Sequence, residues 1–407
     1  MGMKGVLRLI LILFLATATT SWAVELKGRS STQVLSFLDF YKGRQVEVAE
    51  YLRFSLTGID NGGKLAFTGY GRGTQDLNNG EGFNSRLYFL YGDYRDLFQN
   101  RLDTRLGRQF VNNSAGTTIV DGIRLNLKNI GPVGVTVFGG RDVVFGVDTE
   151  IGHSGNYAVG ASVYLAGVKD TDVDVSWFRK YDDSDVARDI VGGSFKQFLF
   201  KSVKLYGDAR YDTTAKVFNE VLGGIKYFPT QRMVFTGEYY ASYPTFDTTD
   251  IFSVFAVNQY REGVFRVDYL INTKYSVNAG YTRESFGDGG TADVYELGGR
   301  WQPTEALAID LAANDRHGSG GHTYGVAVDA YYDVNKAWQV SGGASLDTFE
   351  RDFFPVLPGA EHTAQRYWVG AKYQLAKNMK ASGQIEDQKN GVYSNAVQGR
   401  FVFDYDF

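Results

Sequence analysis

The sequence predicts an all-β protein: a closed antiparallel up-and-down transmembrane β-barrel of about 22 strands, within a range of about 18 to 24. Apolar and polar residues alternate with a period of two along most of the chain, and helical periodicity is scarce. The 407 residues include 49 glycines, 27 tyrosines and 29 phenylalanines but only 6 prolines. The chain ends in RFVFDYDF, with aromatic residues on one face and charged ones mainly on the other. Many strands, tight turns and two aromatic belts account for these observations.

The alternation also predicts what each face of the sheet contacts. In VKLYGDARYD, which starts at Val203, one face is formed by Val, Leu, Gly, Ala and Tyr, and the other carries Lys, Tyr, Asp, Arg and Asp. A packed protein core would not tolerate such charges unpaired. We therefore expect the apolar face to contact lipid and the charged face to line an enclosed aqueous lumen.

Short turns recur at intervals that fit two strands and one longer loop. KYFPTQRMVF, RWQPTEALA, YYDVNKAWQV and KYQLAKNMKA each end one strand on an aromatic residue and soon begin another, and DYLINTKYSV is a looser copy. Earlier short turns are predicted near Asn61–Lys64, Asp96–Arg101, Asn129–Val133, Gly167–Thr171 and Phe198–Ser202. Ten short turns, with both termini at the same end, give about 22 strands. Longer loops are predicted at Gly73–Phe83, Phe110–Ile119, Val143–Asn156, Pro244–Gln259 and Arg351–Gln365.

The first residues indicate export. Lys4 and Arg8 precede an apolar run, and small residues follow up to Ala23, which is the layout of a secretory signal peptide. We predict a signal peptide over residues 1–23 and one barrel domain over residues 24–407. Beyond the leader, no stretch approaches the roughly 20 apolar residues of a transmembrane helix. The chain has no cysteine, so it forms no disulfide and binds no c-type haem covalently.

Charged residues on the predicted lumen face are the candidate functional residues. The chain is mildly acidic, with a net charge of −4, which argues against nucleic acid as a partner. The candidates are Arg105, Arg124, Lys204, Asp208, Arg210, Glu238, Arg266, Asp268, Arg300, Asp310, Asp329, Lys372, Lys380, Glu386, Arg400 and Asp404. Both signs are mixed, which is expected of a hydrated wall; in a dedicated selectivity ring one sign would dominate.

The final strand resembles the ending of Gram-negative outer-membrane barrels, whose last residue is often phenylalanine. The resemblance implies that Phe403, Tyr405 and Phe407 form the signal read by the barrel-assembly machinery. It also implies location in the outer membrane, export through the periplasm, and contact with outer-membrane lipid and lipopolysaccharide. Short turns would then lie on the periplasmic side and longer loops outside.

A second resemblance concerns the segment from Arg105 to Leu127, which is similar to the GRQ…DG segment of many porins. Here it reads RLGRQF and, further on, DGIRLNL. The likeness implies that Gly107, Arg108 and Gln109 lead into a loop, and that Asp121 and Gly122 begin the return strand. The intervening VNNSAGTT is short for an inward fold. The partly apolar segment Pro244–Gln259 is the better candidate for a loop folded into the lumen.

The N-terminal half, from Ser30 to Val144, resembles the porin-like barrels of deltaproteobacterial porin–cytochrome conduits. The similar stretches are SSTQVLSFLDFY, KLAFTGYGRG, RLYFLYGDYRDL, RLGRQF and GPVGVTVFGGRDV. In that family the barrel surrounds multihaem c-type cytochromes during extracellular electron transfer, and the haems belong to the partners. The absence of CxxCH agrees with such a role, but an ordinary solute porin also lacks this motif.

Two candidate functions therefore lead. Passive passage of small hydrophilic solutes or ions is the main expectation, and a sheath around multihaem cytochromes is the alternative. Enzymatic activity is not expected, because the histidines at 153, 317, 322 and 362 lie in or beside predicted loops without a nucleophile motif. Asp315 near His317 is the most suggestive cluster, but solvated loop histidines are commoner, and no metal site is predicted.

Overall fold

The computed structural model describes residues 24–39, 41, 43–78, 82–146, 150, 152, 155–165, 168–247, 259–350, 361–391 and 395–407. The predicted signal peptide, residues 1–23, lies outside this range and stays a prediction. Among the described residues, no helix is long and apolar enough to cross a membrane, a finding that has no bearing on strands. The described helical segment, Leu97–Asn100, is a single turn with left-handed residues inside it.

Strands make up most of the described chain, and they are numbered β1 to β22 in chain order. Their bounds are Glu25–Leu38, Arg44–Thr57, Leu65–Asp76, Asn84–Asp96, Leu102–Asn113, Gly116–Ile130, Val133–Asp142, Tyr157–Leu165, Thr171–Asp182, Asp185–Leu199, Val203–Asp212, Val217–Thr230, Met233–Ser242, Tyr260–Leu270, Tyr275–Phe286, Thr291–Trp301, Leu307–Gly318, Gly321–Asp333, Trp338–Glu350, Glu361–Ala376, Met379–Lys389 and Ala396–Asp406. The predicted all-β class and the count of 22 strands are both confirmed.

The sheet is closed, because β1 pairs with β2 on one side and with β22 on the other. Every other strand pairs with its neighbours in the sequence, and the pairings are antiparallel. The closing seam runs from Ser36 opposite Gly399 to Arg29 opposite Asp406. Two backbone hydrogen bonds between Gly28 and Phe407, of 2.8 and 3.0 Å, extend it to the last residue. The protein is thus an up-and-down β-barrel.

The connections at the two ends of the barrel differ in length. The ten predicted short turns all lie between strands at the end that holds both termini, where no connection exceeds seven residues. At the other end, long connections join β7 to β8, β13 to β14 and β19 to β20, as predicted, although the last is shorter because β20 begins at Glu361. The predicted loop Gly73–Phe83 is also shorter, since β3 continues to Asp76.

The prediction of a loop at Phe110–Ile119 is wrong. Strand β5 continues to Asn113 and β6 begins at Gly116, so that only Ser114 and Ala115 form the turn. Consequently Gly107, Arg108 and Gln109 lie within β5, while Asp121 and Gly122 lie within β6. A two-residue turn keeps the two strands paired up to their tips. The alternating sequence does not show whether the paired tips are part of the barrel wall or leave it.

The concave side of the wall is identified by contacts between strands that are not adjacent. Side chains converge only on that side, so residues two strands apart can bond there. Lys180 of β9 lies 2.9 Å from Asp142 of β7, and Arg316 of β17 lies 2.8 Å from Glu284 of β15. These contacts join residues of the polar face. The lumen is therefore lined by the polar face, and exposed apolar residues such as Val369, which is 63% exposed, lie outside.

The tips of β5 and β6 leave the wall and enter the lumen. Pairing of β4 with β5 ends at Leu90 opposite Arg108, and pairing of β6 with β7 ends at Val120 opposite Asp142. The carbonyl of Ile119 still accepts a backbone hydrogen bond of 2.8 Å from Val143. Beyond it the described strands β5 and β6 pair only with each other, up to Asn113 opposite Gly116. Residues 109–118 are called the inner hairpin below. An inward fold was predicted from Pro244–Gln259 rather than from this segment, which appeared too short for it.

Two glycines that face each other across the strands mark the bend. Gly107 has φ of 121°, and a Cβ there would lie 2.4 Å from the carbonyl oxygen of Leu90. Its partner in register is Gly122, where a Cβ would lie 2.1 Å from the carbonyl oxygen of Gly139. Gln109 is fully buried beside them and donates an amide hydrogen bond of 3.1 Å to the carbonyl of Gly122. Only glycine allows this backbone approach.

We expect Gly107→Val to destabilise the barrel by about 1–3 kcal/mol, because valine at positive φ is strained and its Cβ meets the backbone of β4. The control is Gly223→Ala in β12, where a Cβ would meet no atom within 4 Å. That variant should change the free energy of unfolding by less than about 1 kcal/mol. Urea unfolding in lipid vesicles measures both, and equal values for the two variants would contradict this account of the bend.

Candidate functional site

The strand register places all sixteen candidate charges on the face that lines the lumen. Residues of this face alternate with the exposed apolar residues along every strand concerned. The clearest case is β17, where Asp310 lies between Ile309 and Leu311, and Leu311 is 55% exposed on the outer face. The register thus gives their location. Their part in selecting solutes stays a prediction.

Eight of these sixteen charges are paired with an opposite charge on a nearby strand. Arg105 binds Asp93 at 2.7 Å, Arg210 binds Glu220 at 2.6 Å, and Arg300 binds Asp310 at 3.1 Å. Glu386 binds Arg366 at 2.7 Å. Longer pairs join Arg266 to Glu296 at 3.6 Å and Lys380 to Asp404 at 3.7 Å. The wall is therefore close to electrically balanced, with both signs exposed to the lumen.

Four of the remaining candidates have other surroundings. Asp329 accepts a hydrogen bond of 2.9 Å from the indole of Trp368, and Glu238 accepts one from the hydroxyl of Tyr206. Lys204 lies 5.0 Å from the ring centroid of Tyr206. The guanidinium Nε of Arg124 is buried without a hydrogen-bond partner among the described residues. Sequence reasoning missed these partners, including Asp93, Glu220, Glu296 and Arg366, because pairing depends on the register between strands.

The tip of the inner hairpin is held against strands β9 to β11 by hydrogen bonds. The hydroxyl of Ser114 donates to Asp174 at 2.5 Å, and the backbone N–H of Ala115 donates to the hydroxyl of Ser176 at 2.6 Å. Arg210 donates to the carbonyl of Ser114 at 3.1 Å. Gly192 lies beneath the tip, and a Cβ there would lie 2.2 Å from the carbonyl oxygen of Ser114. The tip thus lies against β9, β10 and β11.

A small apolar core fills the space between the inner hairpin and the wall. Its buried members are Val111, Ala115, Val120, Phe138, Ala158, Phe178 and Ile190. The rings of Phe138 and Phe178 stack with centroids 6.3 Å apart. Burial of each larger side chain contributes roughly 1.5–3 kcal/mol. Because these side chains are buried against one another, the hairpin is a fixed part of the lumen.

A chain of ion pairs joins the hairpin to the start of the connection between β13 and β14. Thr118 of the hairpin donates a hydrogen bond to Asp142, which is 2% exposed and lies 2.9 Å from Lys180. Lys180 is also 3.5 Å from Asp247, and Asp247 is 2.7 Å from Arg188. Residues up to Asp247 therefore reach the lumen face of β9 and β10. The rest of the predicted inward loop, residues 248–258, lies outside the described residues.

The barrel is wide compared with these inward elements. For 22 strands about 4.8 Å apart and tilted by roughly 40°, the backbone diameter is about 44 Å. The inner hairpin and residues 243–247 both contact the sector from β7 to β11. Wall side chains alone cannot narrow such a lumen to the size of a small solute. Among the described residues, the inward elements narrow the lumen from the side formed by β7 to β11.

The histidines and the C-terminus take no part in this site. His317 and His322 lie on β17 and β18, paired in register on the outer face, and His322 is 2.6 Å from Asp315. His153 and the side chain of His362 lie outside the described residues. Within the described residues, no group of acidic and histidine side chains is arranged to hold a metal ion. At the seam, the rings of Tyr405 and Phe407 lie 5.9 Å apart, beside Gly28.

Comparison with known proteins gives similarity of structure only. No protein-family model matches the sequence, and no curated protein matches it. OccK7 (OpdD) of Pseudomonas aeruginosa aligns with a TM-score of 0.49 at 10% identity, over 95% of this chain and 99% of that one. OccAB2 of Acinetobacter baumannii aligns with a TM-score of 0.48 at 11% identity, over 96% and 99%. The outer membrane protein OpdK of P. aeruginosa gives 0.47 at 9% identity, over 94% and 98%. Similarity at this level carries no conclusion about function.

We expect Lys180→Met to loosen the inner hairpin, because it leaves the buried carboxylate of Asp142 without its cation. Breaking a buried pair costs about 3–5 kcal/mol, and even half of that cost would raise amide exchange at residues 114–118 more than tenfold. The control is Lys372→Met on β20, which also removes one lumenal positive charge. Hydrogen exchange monitored by mass spectrometry would contradict the role of Lys180 if both variants exchanged at the wild-type rate.

Proposed function

We propose that this chain is a channel of the Gram-negative outer membrane that lets small hydrophilic solutes or ions pass through its lumen. The observation that carries the proposal is the closed barrel with an apolar outer face and a charged, enclosed inner face. Leu106 and Leu297 are 65% and 62% exposed outside, and exposed apolar surface of this kind suits lipid rather than water. A closed ring of strands also hydrogen-bonds the backbone N–H and C=O groups that would otherwise have no partner inside a bilayer.

The mechanism is passive. A solute exchanges part of its hydration for contacts with ion pairs such as Arg300 with Asp310 and Arg105 with Asp93, which offer both donors and acceptors. Because these charges are balanced in pairs, the wall stays hydrated and favours neither sign strongly. The inner hairpin narrows one side of the path. The chain catalyses no reaction in this account and needs no cofactor.

The orientation and assembly of the channel belong to the same proposal. Short turns and both termini face the periplasm, and the longer connections face outwards toward lipopolysaccharide. The leader, residues 1–23, directs export. Phe403, Tyr405 and Phe407 are read by the barrel-assembly machinery before the final strand pairs with β1. The support for the last point is that Phe407 makes two backbone hydrogen bonds to Gly28 at the seam.

A sheath around multihaem cytochromes is the second candidate. No comparison supports it. One observation favours it: the backbone diameter of about 44 Å for 22 strands is larger than a channel for small solutes requires. In that case the partners supply all the haem, since the chain has no cysteine.

The experiment is a planar-bilayer recording of the purified protein, with heat-unfolded protein as the control. We expect stable ohmic conductance that falls as poly(ethylene glycol) small enough to enter the lumen is added, because polymer displaces ions from a water-filled path. Failure of correctly folded barrels to conduct would overturn the channel. Folded barrels that conduct nothing and copurify with haem absorbance would instead support the sheath.

A further inference from the structure

Five aromatic rings form a continuous row on the lumen side, four of them from β3 and β4 and the fifth, Phe145, from the connection between β7 and β8. Tyr91 is followed by Phe89 at 5.7 Å, Phe89 by Tyr70 at 5.5 Å, Tyr70 by Tyr88 at 4.9 Å, and Tyr88 by Phe145 at 6.0 Å, measured between ring centroids. These residues are called the aromatic row below. Each ring is partly exposed. The row reaches from within the wall up to the connection between β7 and β8.

A β-bulge creates the row. Tyr70 pairs with Phe89 but Gly71 pairs with Leu87, so Tyr88 is the extra residue of β4. Leu87 and Leu90 both face outwards and are 41% and 45% exposed. The two residues between them, Tyr88 and Phe89, therefore both turn toward the lumen, where a regular strand would turn one of them to lipid. The row lies at and above the level at which β5 leaves the wall. Above this level, no described strand pairs with the edge of β4 that faces β5.

Arginines on the same face lie beside the rings. The guanidinium of Arg105 is 4.0 Å from the ring centroid of Tyr91, and that of Arg86 is 4.8 Å from the ring centroid of Phe145. Arg53 is the register partner of Tyr70, and Arg72 is that of Arg86. Four arginines thus accompany five rings. Asp93, the carboxylate beside the lower end of the row, is already bound by Arg105 and Arg95.

We propose that the aromatic row is a binding site for an acidic oligosaccharide, whose ring faces lie on the aromatic side chains and whose carboxylates contact the arginines. The flat face of a sugar ring is apolar at its C–H groups, and the negative face of an aromatic ring attracts them. A row of five rings suits a ligand that repeats the same flat unit, because each unit can lie on a different ring. A single arene would contact only part of the row. The arginines add donors that match carboxylates.

Burial gives a second reason to assign a ligand to the row. Aromatic rings that only stabilise a barrel lie in the lipid belts or in a packed core. These rings do neither, since they face the lumen and none belongs to the buried core under the inner hairpin. The proposal deepens the proposed function by naming a solute class. Its test is nevertheless a binding measurement, so it succeeds or fails independently of conductance.

The experiment is calorimetric titration of the folded protein in detergent with four probes: hexagalacturonate, the galacturonate monomer, neutral cellohexaose and benzoate. We expect the acidic hexamer to bind at least tenfold more tightly than its monomer and than the neutral hexamer. We also expect its affinity to fall as salt is raised, because charge pairing contributes. Equal affinity for hexamer and monomer, or tighter binding of benzoate than of the hexamer, would overturn the proposal.

Variants then locate the site. The double change Tyr70→Leu and Tyr88→Leu keeps apolar bulk on the inner face but removes the aromatic surface, and we expect it to weaken hexamer binding at least tenfold. The matched control is Tyr240→Leu, a lumen-facing tyrosine in a separate aromatic group on β13 and β14. Unchanged affinity in the double variant, with folding verified by heat-modifiable gel mobility, would show that the row is not the site. An equal loss of affinity in Tyr240→Leu would also show that the row is not the site.

Discussion

Closure of the backbone hydrogen-bond network into a ring is the constraint on which the rest of the structure depends. A sheet with one apolar face and free edges would neither dissolve nor cross a bilayer, because its edges would leave N–H and C=O groups unpaired. The pairing of β1 with β22 removes both edges at once. It also turns a period-two sequence into two different environments, a lipid-facing exterior and an enclosed polar lumen. On its concave side the ring also brings together charges that lie two strands apart, such as Lys180 with Asp142 and Arg316 with Glu284.

Strand pairing with the wall gives way at the inner hairpin, and neighbouring residues compensate. Arg108 donates to the carbonyl of Leu87 at 3.2 Å on the uncovered flank of β4, and it binds Asp121 at 2.7 Å. Glu150, in the connection between β7 and β8, lies 2.9 Å from Arg108. The free energy lost when the strand tips give up pairing with the wall is offset at the tip by hydrogen bonds and a small buried core. The same departure uncovers the edge of β4 beside the aromatic row.

The sequence contains the architecture but little of what fills the lumen. Period-two alternation, short turns and the terminal RFVFDYDF are local patterns, and they were sufficient for the barrel, its strand number and the end that holds both termini. The inner hairpin was missed because residues 109–118 alternate like any strand, and nothing local reveals that their outer neighbours are absent. The available signal was the pair Gly107 and Gly122, which flank Arg108 and Asp121 in register. The partners of Arg105 and Arg210 were beyond prediction, because a shift of one residue between strands would change them all.

The measurement that tests the central claim most directly is labelling of single cysteines along β17 in sealed lipid vesicles. The chain has no cysteine, so each variant carries one thiol. With cysteine in turn at Ile309, Asp310, Leu311 and Ala312, a water-soluble maleimide should label positions 310 and 312 rapidly, while 309 and 311 should react only after the membrane is dissolved. Equal labelling at all four positions, or the reverse pattern, would contradict a closed barrel with lipid outside and water within.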